Sequence, residues 1–180
     1  MTPKLNGLIG VEPKKIIGIA PFAAHQSKMY PLSLMAEVIN KLDETDKYRI
    51  FLFGGGKKEI KLLKKLENPF ANVTNVAGKL TFEEELALIS NLDLMLSMDS
   101  GNGHLAAMYG VPVVTLWGVT HPFAGFVPFN QPENNQLMAD REKYPLIPTS
   151  IYGNKFPKEY GETMKTINPE IIVQKVRELL

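Results

Sequence analysis

The sequence contains no cysteine, which excludes a disulfide framework and the common structural zinc sites, and fits a reducing compartment. It also lacks a dominant charge. Its 20 basic and 19 acidic side chains leave a formal net charge of +1, so no overall field draws nucleic acid or an anionic surface to it. Any anion must be held by local geometry. Long hydrophobic runs are missing too: the longest are of strand length, far short of the roughly 20 residues of a membrane-spanning helix. The opening MTPKLNGLIGVEPKK has no apolar centre of the kind a signal peptide needs. The chain reads as soluble. Its three histidines, His25, His104 and His121, lie on separate segments with no metal-ligand spacing, which favours hydrogen-bonding roles over ligation.

What is present suffices for one well-buried domain: 180 residues, 44% of them hydrophobic. Residues 1–14, with two prolines and two glycines, read as a linker or lead-in rather than an element. From Lys15 onward a strand-then-helix pattern repeats. KIIGIA (15–20) and YRIFLF (48–53) are buried-strand patterns, followed by the amphipathic stretches LSLMAEVINKLDE (32–44) and KKEIKLLKKLEN (57–68). NVTNVAG (72–78) suggests a short third strand, and Thr81 with Glu84 forms a capping box for the next helix. LDLMLSM (92–98) and VPVVTLW (111–117) flank a helix beginning near Gly101. Residues 121–161 lose periodicity apart from NQLMAD (135–140), an expected edge strand, and Asn168-Pro169 starts the terminal helix. The alternation predicts an α/β, Rossmann-like doubly wound fold with a mainly parallel sheet.

The segment MDSGNGHLAA (98–107) lies where a strand ends and a helix begins, the place where open parallel sheets bind ligands. Gly101 and Gly103 permit close backbone approach, and a helix N-terminus favours an anion such as phosphate. The alternative is that Asp99 or Ser100 merely caps the helix. Gly101 to Ala106 also fits the dinucleotide fingerprint G-x-G-x-x-G/A, which would make the chain a small dehydrogenase. No acid stands between Asp99 and Glu133 to hold a ribose, so that reading ranks low. GGGKKE (54–59) has the wrong spacing for a P-loop, and Met98 occupies the position where a nucleophile elbow needs glycine.

Three segments together resemble the heptosyltransferases, glycosyltransferase family 9: IAPFAAHQSKMYP (19–31), LFGGGKKE (52–59) and MDSGNGHLAAMYGVPVVTLWGVTHP (98–122). The last is similar to the family's D-[ST]-G-x-x-H-L-A-A segment and the G-x-T-x-P that follows it. The resemblance implies the C-terminal, donor-binding half of a two-domain GT-B enzyme, residues 15–180, with the N-terminal acceptor domain absent. The implied enzyme transfers heptose or a related sugar from an ADP-sugar to a lipopolysaccharide core acceptor, with inversion and with neither metal nor cofactor. Its partners would be the nucleotide sugar and a lipid-linked saccharide, and its place the cytoplasm, at the inner face of the bacterial inner membrane with peripheral membrane contact. A nucleotide-binding module without transferase activity is the competing reading.

Site roles carry over position by position. Lys28 would bring a mobile ammonium to the diphosphate and stabilise the leaving ADP; without the motif it reads as a solvated loop lysine. Ser100, Gly101, Asn102 and Gly103 would offer N–H groups and a hydroxyl to phosphate, and Asp99 would bind sugar hydroxyls. His104 would donate to phosphate or sugar oxygens, or else pack as a neutral ring. Ala23 and Ala24 offer only backbone contacts. Glu59 is a ribose partner or a cap, and Leu80 an adenine wall or a core residue. The family's general base belongs to the other domain, so this piece alone is expected to bind donor without turnover. His121 stands where G-x-T-x-P often carries an acid, which leaves the sugar open.

Overall fold

The computed structural model describes residues 2–180. Six parallel strands form one sheet: β1 (Lys15–Ala20), β2 (Tyr48–Leu52), β3 (Val73–Asn75), β4 (Leu94–Met98), β5 (Val113–Trp117) and β6 (Gln136–Met138), in the order β3-β2-β1-β4-β5-β6. The helices are α1 (Pro3–Ile9), α2 (Leu32–Asp43), α3 (Gly56–Glu67), α4 (Phe82–Ile89), α5 (Gly101–Met108) and α6 (Pro169–Leu179). The expected α/β doubly wound class is therefore what forms, and NQLMAD does supply the edge strand.

The strands read as continuous apolar runs because both faces of the sheet are covered. Ile17 and Ile19 of β1 point into a core shared with α2, α3 and α6, while Ala20 joins Leu88 and Ile89 of α4 and Ala106 and Ala107 of α5 in a second core. Gly18 takes its turn on the second face. A Cβ there would lie 2.5 Å from Leu92 Cδ1 and 3.0 Å from Met95 Cε, so neighbouring side chains already fill its space. A third, small cluster of Val119, Ala139, Tyr144, Ile147 and Tyr160 anchors the segment beyond β5.

Two expectations need correction. Residues 1–14 were expected to hold no regular element, yet α1 forms there. Thr2 Oγ1 accepts from the Leu5 N–H at 3.3 Å, Pro3 supplies a fixed φ in the first turn, and Leu5, 1% exposed, inserts into the second core. Arg49 donates to the carbonyls of Leu8 and Ile9, tying down the helix end. Tertiary burial outweighs the cost of Gly7 in a seven-residue helix. Leu5→Ala is accordingly expected to cost about 3 kcal/mol, seen as a lower urea midpoint with unchanged slope. Secondly, the irregular stretch was expected to run to about residue 161, but a 3-10 helix spans Lys158–Thr166 and holds Met164 against the main core.

Candidate functional site

The strand order reverses direction between β1 and β4, the switch point where two βα turns diverge and open a crevice. A cleft of about 420 Å³ lies there. The turn after β1 lines it with Phe22, Ala23 and Ala24. The turn after β2 adds Gly54 and Gly55, α3 adds Glu59, and Ser100 with Gly101, Asn102 and Leu105 of α5 lines the other side. Six of the residues singled out in the sequence thus meet in one cavity: Ala23, Ala24, Glu59, Ser100, Gly101 and Asn102.

Ser100 is the N-cap of α5 with extended backbone, φ −156°, and its side chain makes no capping hydrogen bond. Its hydroxyl instead sits 3.2 Å from that of the buried Ser97. Mere capping by Ser100 is therefore not what the turn provides. The first turn of α5 lines the cleft with no side-chain cap, and its unpaired N–H groups together with the helix dipole make that end of the cleft favourable to an anion. Glu59 lines the cleft and serves as a cap: its carboxylate accepts from the N–H of Gly55, the N-cap of α3, at 2.8 Å.

Asp99, 5% exposed, does not cap α5 either. Its Oδ2 accepts from the Thr120 hydroxyl at 3.0 Å and pairs with Lys28 Nζ at 3.1 Å. Lys28 is not a solvated loop lysine, since its side chain is only 12% exposed. It follows β1 in a short 3-10 turn, Gln26–Lys28, and its ammonium is held at the end of β4 beside the uncapped helix. Lys28, Asp99 and Thr120 are outside the residues that line the cleft, but Asp99 directly precedes Ser100, which does line it, so a mostly buried cation, a carboxylate and a hydroxyl are grouped one residue from its edge.

Other candidates lie apart. Gly103 is buried against β4, where a Cβ would stand 3.2 Å from Ser97 Oγ, so its lack of a side chain serves helix packing. His104, in the first turn and a half of α5, and Leu80, packed on the second core, are outside the residues that line the cleft. His121 is buried, its Nδ1 accepting from the Phe123 N–H at 3.1 Å; burial, and then the nearby Arg141, hold its pKa below the usual value.

The sequence reading missed Thr120, although it stands inside the quoted G-x-T-x-P stretch. It also missed Glu85, which lines the cleft from α4 and whose carboxyl is pushed up by burial. A pKa raised on folding means that stability present in acid is lost as pH rises through the folded value, so the ionised group is a liability at neutrality. Glu85→Gln is expected to raise the melting temperature at pH 7 and to have no effect at a pH below the ordinary glutamate value of 4.5.

A model of glycosyltransferase family 9 (heptosyltransferase) matches residues 4–154. The chain belongs to glycosyltransferase family 9. Among family members, lipooligosaccharide heptosyltransferase 2 of Campylobacter jejuni is 31% identical over 181 residues, covering 97% of this chain and 54% of the relative. The fold agrees with that of the E. coli ADP-heptose lipopolysaccharide heptosyltransferase II, with a TM-score of 0.72 and 19% identity over 98% of this chain and half of that one. It also agrees with E. coli heptosyltransferase WaaC with ADP, with a TM-score of 0.70 and 20% identity over 95% of this chain and 46% of that one. This family 9 chain spans about half the length of the curated relatives it matches.

Proposed function

We propose that the chain is the donor-binding half of an inverting heptosyltransferase that takes heptose or a related sugar from an ADP-sugar and delivers it to a lipopolysaccharide core acceptor. The observation that carries this reading is the uncapped N-terminus of α5, opening on the switch-point cleft beside the Lys28–Asp99–Thr120 group. The nucleoside occupies the cleft, and the diphosphate lies against the N–H groups of Ser100 to Asn102. Lys28 reaches the phosphate nearest the sugar, and Asp99 faces the sugar hydroxyls.

As the acceptor oxygen attacks the anomeric carbon, the bond to the β-phosphate breaks and its electron pair passes to the departing ADP. The helix N-terminus and the Lys28 ammonium, fixed before reaction, stabilise that growing charge. The general base that takes the acceptor's proton belongs to the acceptor-binding half, so this chain binds donor and does not turn over alone. The test is calorimetry with ADP, with the Lys28→Ala variant as its control.

The acceptor is lipid-linked, which places the enzyme at the cytoplasmic face of the inner membrane by peripheral contact. No helix among the described residues is long and apolar enough to cross a membrane. Support comes from α3, whose exposed Lys57, Lys58, Lys61, Lys64 and Lys65 share one face, while Glu59 and Glu67 bond inward to the Gly55 and Asn75 N–H groups. The protein is expected to float with vesicles containing phosphatidylglycerol at low salt, and not with zwitterionic ones. Replacing Lys61, Lys64 and Lys65 by Gln should abolish the difference.

A further inference from the structure

The loop between Pro148 and Phe156 has no part in the reading above, yet it covers the side chain on which that reading depends. Gly153 sits at φ +77°, a conformation that L side chains rarely adopt. A Cβ on it would stand 2.8 Å from Lys28 Cγ, 2.9 Å from Lys28 Cδ and 3.2 Å from Thr120 Cγ2. The lysine stem therefore lies directly on the glycine backbone. The same residue is tied down from the other side: the hydroxyl of Ser27, itself 3% exposed, donates to the Gly153 carbonyl. Beneath it, a Cβ on Gly118 would stand 2.3 Å from the Ser27 carbonyl oxygen, so the Lys28 turn is wedged between two glycines.

We propose that Gly153, held by Ser27, is a positioning residue that fixes Lys28 in the rotamer presenting its ammonium beside Asp99 and the N-terminus of α5. A free lysine has four side-chain torsions to order each time it engages an anion. Confined between Gly153 and Thr120, this one has that ordering completed by folding, before ligand arrives. Any side chain at position 153 must push the stem aside and carry the ammonium with it. The inference rests on the reading of Lys28 as the ammonium that meets the diphosphate.

The experiment is a calorimetric double-mutant cycle on the protein with Gly153→Ala, Lys28→Ala and both together, titrated with ADP and with AMP. Gly153→Ala is expected to weaken ADP binding roughly tenfold while leaving AMP within about twofold, because AMP lacks the phosphate that Lys28 meets. Added to Lys28→Ala it should change ADP affinity by less than about twofold. An additive effect, or equal losses for ADP and AMP, would show that the loop acts on folding or on the cleft at large and would overturn the proposal. ADP affinity unchanged by Gly153→Ala but lowered by Lys28→Ala sinks this inference alone, whereas indifference to Lys28→Ala sinks the reading beneath it. Should Gly153→Ala fail to fold, Ser27→Ala removes the tie without adding an atom. It must then show the same preference for ADP over AMP and the same non-additivity, or the positioning role is wrong.

Discussion

Lys28→Ala is expected to weaken ADP binding by about 10- to 100-fold. A hydrogen bond to a charged group is worth about 1.5–3 kcal/mol, and each 1.4 kcal/mol is a factor of ten in affinity. The magnitude is set by burial: with its side chain only 12% exposed, the ammonium sits where water screens it little. The loss should be far smaller for AMP, and circular dichroism must show the variant folded. Comparable weakening of both ligands would point to a disturbed cleft rather than a missing phosphate contact.

Asp99→Ala is expected to lower stability by about 3 kcal/mol, because it strands a mostly buried ammonium and leaves the Thr120 hydroxyl without its acceptor. Asp99→Asn, which keeps an oxygen for Thr120, should cost less. Replacing both charges with apolar groups, Lys28→Met together with Asp99→Leu, should recover much of the loss, since the pair's desolvation cost disappears with it. Urea midpoints at constant slope decide the order of the three variants. If Asp99→Ala were silent, the ion pair would be a surface contact and the account of a preorganised site would fall.

The part of the site that was legible in the sequence is the part that is local. The run from Leu92 to Gly118 carries apolar strand patterns on either side of a small-residue turn, and α5 begins at Gly101 as that pattern requires. Thr81 and Glu84 form their capping box, and Asn168 caps α6 by accepting from the Glu170 N–H at 2.9 Å. The Thr2-Pro3 pair carried the same start signal as Asn168-Pro169. It was masked by Gly7 and by the shortness of α1, which is held by Leu5 rather than by propensity.

What stayed hidden depends on contacts between distant segments. Lys28 and Asp99 were each named, but nothing in either loop says that one neutralises the other or that Thr120 completes the group. Glu85 was hidden in a run of three glutamates whose middle member satisfied the cap and explained the pattern. Gly153 lies in a segment without periodicity, and its positive φ has meaning only once the lysine beneath it is seen. The long 3-10 helix at Lys158–Thr166 escaped because Gly161 interrupts it and its three buried residues, Tyr160, Thr163 and Met164, follow directly on a stretch without periodicity.

The cleft between β1 and β4, with the N-terminus of α5 and Lys28, is proposed as the site for the ADP portion of a nucleotide sugar. Its most direct test is a calorimetric titration of the protein with ADP, UDP and GDP under one buffer condition. Saturable one-to-one binding of ADP is expected, in clear preference to the other two. Absence of ADP binding, or equal affinity for all three diphosphates, would contradict it.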